Sequence, residues 1–123
     1  MLDRTSRTVL LVDDDADLRA ALTFVFETEG YDVHAFASAE AALQSDESHV
    51  ACLVLDQRLP GLSGLDLLER LRAQGYCTPA ILITTHPTGN ERTRARAASA
   101  QILEKPLLGD ELATLVSRVS APS

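Results

Sequence analysis

Residues 51–61 read ACLVLDQRLPG, an apolar run of strand length that ends on the carboxylate of Asp56 and is followed by a turn with Pro60 and Gly61. An unbroken apolar run is typical of a parallel strand that is covered on both faces. In open α/β sheets, functional groups lie beyond the carboxyl ends of the strands. We therefore predict that Asp56 lies at the functional edge of such a sheet, although aspartate is also a common turn former at strand ends.

Strand and helix signals alternate five times along the chain. Strands are predicted at 8–12, 31–36, 51–56, 79–84 and 101–104. Helices are predicted at 16–29, at 39–44, from Ser63 or Gly64 to about 74, at 88–98, and from Gly109 or Asp110 to 120. Five strand–helix units with short connections predict a doubly wound α/β fold, with a five-stranded parallel sheet and helices on both of its faces.

The first predicted helix has an apolar face. Leu18, Leu22 and Phe26 recur at four-residue spacing, and Ala21 and Val25 lie beside them. This spacing predicts the side of the helix that packs on the sheet.

Length and composition indicate one globular domain over residues 1–123, with a core at about 8–119 and flexible ends at 1–7 and 120–123. The chain is 46% hydrophobic and has a formal net charge of −7. This charge argues against direct binding of nucleic acid by the domain, because such binders normally carry a basic patch.

Cysteine content and hydropathy predict the compartment. Cys52 lies inside an apolar run and Cys77 in a loop, so they suggest no disulfide framework, and a reducing setting is expected. No segment resembles a signal peptide or approaches the roughly 20 apolar residues of a membrane span. We expect a cytoplasmic protein that does not contact membranes.

Polar side chains gather at the carboxyl ends of the predicted strands: Asp13, Asp14, Asp56, Thr84 and Lys105. Three crowded carboxylates favour ionisation with a cation between them, and carboxylate oxygens with water suit Mg²⁺. An ammonium and a hydroxyl beside a carboxylate and Mg²⁺ provide the charge neutralisation and positioning that phosphoryl transfer needs. Each residue also has a simpler interpretation: the aspartates as helix caps, the threonine as a partner of local backbone, and the lysine as a solvated loop charge.

The sequence resembles a response-regulator receiver domain of two-component signalling over about residues 8–119. The motifs that carry the resemblance are VDD at 12–14, LVLDQRLPGLSG at 53–64, ILITTH at 81–86 and EKP at 104–106. The second and third are similar to receivers of the nitrogen-fixation regulator subgroup. The resemblance implies a flavodoxin-like fold with strand order 2-1-3-4-5 and five helices.

The resemblance also implies roles for individual residues. It implies that Asp56 accepts a phosphoryl group from a histidine kinase, and that Thr84 and Lys105 bind the phosphoryl oxygens. It implies that Mg²⁺ is held by Asp14, Asp56 and the backbone carbonyl of Arg58, with Asp13 reaching the ion through water. The peptide bond between residues 105 and 106 is expected to be cis.

Three departures from the family pattern concern the switch. Thr85 replaces the very small residue that usually follows the switch threonine, and it narrows the way to Asp56. Ile102 stands where most relatives have an aromatic residue, so the usual inward rotation of a ring cannot transmit the signal. The turn before the fifth strand has Ala98 and Ser99 in place of the family's Gly-Ala sequence.

Two further positions are predicted to modulate the lifetime of the phosphoryl group. Arg58 lies two residues after the acceptor, and His86 lies two residues after the switch threonine. Side chains at such positions in receivers flank the hydrolytic water. Solvated loop residues are the alternative interpretation of both.

The fourth predicted helix carries Arg92, Arg94 and Arg96 but no large apolar residue. Burial of a leucine-sized side chain contributes roughly 1.5–3 kcal/mol, and an alanine much less. We therefore expect this helix to dock weakly, to shift easily against the sheet, and to present a positive face. The face formed by the fourth helix, fifth strand and fifth helix is accordingly predicted to bind a partner protein or a second copy of the chain in a homodimer.

Other classes of protein fit the sequence less well. A haloacid-dehalogenase-type phosphatase also uses an aspartate nucleophile, but it requires a second acid where this chain has Arg58, and a cap domain. A flavodoxin-like FMN site would be repelled by the aspartates after the first strand, and no P-loop motif is present. We expect a phosphorylatable switch rather than an enzyme, and a stand-alone receiver; the receiver half of a DNA-binding transcriptional regulator is the alternative.

Overall fold

The computed structural model describes residues 7–45, 49–107 and 110–120. Within them the elements alternate as β1 Thr8–Val12, α1 Ala16–Thr28, β2 Asp32–Phe36, α2 Ala39–Leu43, β3 Cys52–Asp56, α3 Gly64–Ala73, β4 Ala80–Thr84, α4 Gly89–Ala97, β5 Ala100–Glu104 and α5 Glu111–Ser120. The predicted elements are confirmed within one or two residues at the ends that the structure describes. The candidate start of the last helix at Gly109, and most of the predicted flexible ends, lie outside the described residues.

All strand pairs of the sheet are parallel, and the strand order is β2-β1-β3-β4-β5. The predicted doubly wound fold is therefore confirmed. The order reverses between β1 and β3, and in open sheets of this kind that reversal opens a crevice at the carboxyl ends of the strands.

Two separate cores cover the two faces of the sheet, because successive side chains of a strand point to opposite faces. On β1, Leu10 and Val12 contact the core beneath α2, α3 and α4. Val9 and Leu11 point the other way, into the core beneath α1 and α5. All five residues of β3 are buried, as the unbroken apolar run predicted.

The buried face of α1 is narrower than the spacing predicted. Leu22 and Phe26 are buried, and the Phe26 ring meets Tyr31 edge-on at 6.1 Å between centroids. Val25 is 39% exposed, and Ala21 is exposed as well. A helix on the surface of a sheet buries only one stripe of its side chains, so these flanking positions face solvent.

Candidate functional site

The parallel register brings the ends of β1, β3, β4 and β5 to one edge of the sheet. Val12 pairs with Leu55, and Asp56 with Ile83. Thr84 pairs with Glu104, so the residue that follows Glu104 also reaches this edge. Side chains from different strands that are 21 to 92 positions apart in the chain are thus brought together by strand pairing.

Asp13, Asp14 and Asp56 form a compact carboxylate cluster. One carboxylate oxygen of each lies within 4.8 Å of the others. Asp13 and Asp56 are buried, whereas Asp14 is exposed. Burial raises the pKa of Asp13 and of Asp56, because a charged carboxylate loses its hydration there.

Only one of the two carboxylate oxygens of Asp13 has a hydrogen-bond partner among the described residues. Its Oδ1 accepts a hydrogen bond from the Asp15 amide at 2.9 Å, whereas its buried Oδ2 has no hydrogen-bond partner among the described residues. The Arg19 guanidinium donates to the Asp13 backbone carbonyl at 2.7 Å. Sequence reasoning missed Arg19, although its position on the first turns of α1 could have suggested it.

Asp15, rather than its two neighbours, caps α1. Its side chain accepts hydrogen bonds from the amides of Asp17 and Leu18 at the start of the helix. The simpler interpretation of the aspartate run as helix caps therefore applies to Asp15. Asp13 and Asp14 remain available to the carboxylate cluster.

Lys105 supplies a positive charge beside the cluster. Its Nζ lies 3.4 Å from Asp56 Oδ1, and its backbone amide donates to the Thr84 carbonyl at 2.9 Å. The bond to Pro106 is cis, as expected. The ammonium lowers the pKa of Asp56, but burial has the larger effect, and the pKa stays raised.

Thr84 is fully buried at the end of β4. Its hydroxyl lies 3.5 Å from the Thr85 carbonyl, at the long limit of a hydrogen bond, so this contact is weak. Thr85 and His86 are exposed at the edge of the site. His86 has a φ of 49°, which is uncommon for a residue with a side chain.

Gly64 allows α3 to begin directly against the acceptor strand. A Cβ at this position would lie 2.5 Å from the Asp56 carbonyl oxygen and 2.9 Å from Leu82 Cδ1. Ser63 and Asp66 form a capping box that starts the helix there. The close approach places the loop of Gln57 and Arg58 over the sheet edge, where the Arg58 amide lies 3.4 Å from Asp56 Oδ1.

The residues at positions 98, 99 and 102, which depart from the family pattern, lie at the end of α4, in the following turn and on β5. Ile102 is half-buried on β5 and packs against the core beneath α2, α3 and α4. Ser99, in the turn before β5, has a φ of 60°, a conformation that glycine adopts without strain. Ala98, the C-cap residue of α4, is buried.

Helix α4 is attached mainly by polar contacts, and here sequence reasoning was incomplete. Ala95 is the only buried apolar residue on the helix itself within the described structure. Arg94 pairs with Asp66 at 3.1 Å and with Glu69 at 2.7 Å on α3, and Arg92 lies 3.3 Å from Glu104. The expected positive face is therefore largely neutralised by acids of the same fold.

Glu91 was not singled out from the sequence, yet it is one of the few buried charged residues. Its carboxylate accepts from Arg58 Nη1 at 2.8 Å and from Gln57 Nε2 at 3.2 Å, and from the Thr88 amide at 3.0 Å. The Thr88 hydrogen bond is the largest of the contacts that lower the pKa of Glu91. A glutamate three residues after a threonine is a capping-box signal, but its link to the Asp56 loop is purely tertiary.

The cluster has the donor set of a hard divalent cation. Carboxylate oxygens from three residues converge, and one buried oxygen, Asp13 Oδ2, has no other partner among the described residues. Mg²⁺ prefers such oxygen ligands and keeps several of its waters, for which the exposed side of Asp14 leaves room. The residues present therefore fit Mg²⁺.

Comparison with known proteins agrees with this geometry. Residues 9–117 match the family model of the response regulator receiver domain. Nodulation protein W of Bradyrhizobium diazoefficiens is 42% identical over 110 residues, which is 88% of this chain and 48% of that protein. Transcriptional regulatory protein FixJ of the same organism is 34% identical, covering 91% of this chain and 56% of that protein. The predicted similarity to the nitrogen-fixation regulator subgroup is thereby confirmed.

Solved structures show the same fold. The non-phosphorylated HemR receiver domain from Leptospira biflexa superposes with a TM-score of 0.87 at 27% identity, over 96% of this chain and 97% of that one. The chain spans about half the length of the curated relatives it matches. None of the helices within the described residues has the length and apolarity needed to cross a bilayer. From its matched motifs, its carboxylate cluster and its fold, the chain belongs to the response-regulator receiver domain family of two-component signalling.

Proposed function

We propose that this domain is a phosphorylatable switch whose Asp56 accepts a phosphoryl group from a histidine kinase. The observation that carries the proposal is the environment of Asp56. A buried carboxylate at a strand end lies 3.4 Å from an ammonium and beside a second buried carboxylate, one oxygen of which has no hydrogen-bond partner among the described residues. Such a carboxylate is positioned as a nucleophile and is surrounded by groups that bind phosphoryl oxygens.

In the proposed transfer, an Asp56 carboxylate oxygen attacks the phosphorus of a phosphohistidine. The O–P bond forms as the N–P bond breaks, and the histidine nitrogen keeps the electron pair. Lys105 and the Thr84 hydroxyl bind the phosphoryl oxygens. Asp13, Asp14 and Asp56, with the backbone carbonyl of Arg58, would hold a Mg²⁺ ion, which when bound supplies positive charge against those oxygens.

Loss of the phosphoryl group is proposed to depend on the exposed residues at the entrance. Arg58 would cover the phosphoryl group, His86 would orient or exclude water, and Thr85 would narrow the approach. Replacing Arg58 and His86 singly by alanine and timing the loss of phosphate tests these roles. Unchanged lifetimes in both variants would contradict them. We propose that the domain catalyses no reaction other than its own phosphorylation and its slow dephosphorylation.

The signal is proposed to leave through the face of α4, β5 and α5, toward a partner or a second copy of the chain. Because Ile102 cannot act as an aromatic switch, the movement of Thr84 toward the phosphoryl group must reach α4 by another path. A change in mass by light scattering on activation would support dimer formation. A monomer in both states would argue against it.

A receiver joined to a DNA-binding output is the second candidate beside the proposed stand-alone domain. The names of several relatives, which are transcriptional regulators about twice as long, favour it. In either case we propose that this domain acts in the cytoplasm and does not itself bind nucleic acid. The mass of the protein in its own cells distinguishes the two: 13.3 kDa for the domain alone, and a larger mass for the linked form.

The test of the central proposal is incubation with acetyl phosphate and Mg²⁺, followed by intact mass measurement. Wild type should gain one base-labile phosphoryl group, and Asp56→Asn should gain none while keeping its fold by circular dichroism. Asp32→Asn, an exposed site on β2, removes the same charge and should behave as wild type. Continuous release of phosphate would instead indicate a phosphatase of the haloacid-dehalogenase type. A phosphoryl group on Asp56→Asn would exclude Asp56 as the main acceptor.

A further inference from the structure

Glu91 links helix α4 to the loop that follows Asp56. Only 6% of the residue is exposed, and its carboxylate accepts hydrogen bonds from Arg58, Gln57 and the Thr88 amide. Gln57 extends the link, because its Oε1 accepts from the Leu65 amide at 2.8 Å, in the first turn of α3. The first turns of α3 and α4 are thus joined through the acceptor loop.

Arg58 is the exposed member of this group. Its side chain is 56% exposed, and its guanidinium contacts Glu91 through Nη1 alone, at 2.8 Å. Its backbone amide points at Asp56 Oδ1, so the side chain starts only two residues from the acceptor. A guanidinium binds a phosphoryl dianion through two parallel hydrogen bonds, which is a stronger pairing than a single contact with a carboxylate.

We propose that Glu91 is a positioning residue that holds the Arg58 guanidinium away from Asp56, and that phosphorylation transfers this guanidinium from Glu91 to the phosphoryl group and loosens the first turn of α4. The inference rests on the proposed function. In this proposal, the transfer of Arg58 from Glu91 to the phosphoryl group couples phosphorylation to the position of α4. An aromatic residue at position 102 would otherwise provide that coupling.

Because polar contacts hold α4 in place, the loss of the Arg58–Glu91 contact can move its first turn. The helix buries one alanine of its own against the core, so its position depends on polar contacts at two places. Arg94 holds its later turns to Asp66 and Glu69, and Glu91 holds its first turn to the acceptor loop. When Arg58 leaves, the Arg94 contacts persist, and we expect the first turn to move while the later turns stay anchored to α3.

Glu91→Gln is the informative variant. The glutamine retains an acceptor for the Thr88 amide, since glutamine also serves in a capping box, but it removes the charge that attracts Arg58. Arg92→Gln is the matched control, because it removes another ion pair of the same helix, with Glu104, far from the acceptor loop. Arg58→Gln supplies the background in which the proposed exchange is impossible.

The first measurement is the lifetime of the phosphoryl group on Asp56 after loading with acetyl phosphate and Mg²⁺. With its competitor removed, Arg58 covers the phosphoryl group more fully, so Glu91→Gln should lengthen the lifetime about threefold or more. In the Arg58→Gln background the same change should have no effect, because coupled residues are non-additive. An equal effect in both backgrounds, or none in either, overturns the proposal, since a purely structural role of Glu91 does not require Arg58.

The second measurement is hydrogen exchange of α4 with and without beryllofluoride. In wild type and in Arg92→Gln, the mimic should speed exchange in the first turn of α4. In Glu91→Gln that turn should already exchange faster, and the mimic should change it little. If wild type gains its phosphoryl group but the mimic changes α4 equally in all three proteins, this inference fails while the proposed function stands. If wild type gains no phosphoryl group, both fail.

Discussion

Replacing Asp13 by asparagine is expected to stabilise the metal-free protein and to weaken its response to Mg²⁺. The residue is 1% exposed, and its Oδ2 has no hydrogen-bond partner among the described residues. The substitution keeps the shape of the side chain and the Oδ1 acceptor for the Asp15 amide, and it removes a buried negative charge. The raised pKa of Asp13, which burial causes, indicates the same direction.

The size of the effect follows from the neighbouring charges. Two carboxylate charges at 4.8 Å repel by roughly 3 kcal/mol at an effective dielectric constant of about 20. Lys105, at 3.4 Å from Asp56, offsets part of this repulsion. We therefore expect a gain of about 1–2 kcal/mol in the free energy of unfolding. For a domain of this length that corresponds to a rise in Tm of about 3–10 °C.

With Mg²⁺ bound, the wild type should be more stable than Asp13→Asn, which reverses the order expected without the metal. An ion present at about 100 times its Kd stabilises the folded state by about 2.7 kcal/mol, and a variant that lacks one ligand charge should gain less. Thermal melts with EDTA and with millimolar MgCl₂ measure both effects. Asp32→Asn, an exposed acid on β2, is the control for net charge.

Two results would refute this reasoning. One is a Tm of the wild type that does not change with Mg²⁺. The other is a metal-free Asp13→Asn protein no more stable than Asp32→Asn. The first would mean that the carboxylate cluster does not bind the ion, and the second that its carboxylates do not repel one another significantly.

Three further predictions concern the same architecture. Asp14→Ala should remove most of the stabilisation by Mg²⁺ without reducing metal-free stability, and equal Mg²⁺ shifts in variant and wild-type melts would contradict this. Gly64→Ala should cost about 1–3 kcal/mol, because its Cβ would lie 2.5 Å from the Asp56 carbonyl oxygen, whereas Gly89→Ala, with nothing within 4 Å, should be neutral in urea titrations. Glu69→Gln should cost no more than about 1 kcal/mol at pH 7, since its pair with Arg94 is partly exposed. Because the hydrogen bond from Arg94 lowers the pKa of Glu69 below 4.5, this difference should be full above about that pH and vanish as pH falls through the lowered value; a difference that persists at pH 2 would count against it.

The sequence by itself determined the order of elements, the parallel sheet and the residues at the strand ends. An unbroken apolar run such as residues 52–56 must be covered on both faces, and alternation with helices leaves a doubly wound sheet as the arrangement that achieves this. Asp13, Asp56, Thr84 and Lys105 were found for the same reason, since strand ends in a parallel sheet share one edge. These are properties of local pattern and of topology, which a chain carries in its sequence.

Tertiary structure decided what pattern does not encode, namely which polar groups meet. Asp15 caps α1 and leaves Asp13 to the carboxylate cluster, and the choice among three consecutive aspartates depends on which of them has the extended backbone of a cap residue. Glu91 meets Arg58 across 33 positions because the fold places the acceptor loop beside the first turn of α4. Hydrogen bonds and ion pairs act over about 3 Å, so their partners follow from the final placement of helices on the sheet. From the sequence alone, a charged residue on a helix is expected to be solvated.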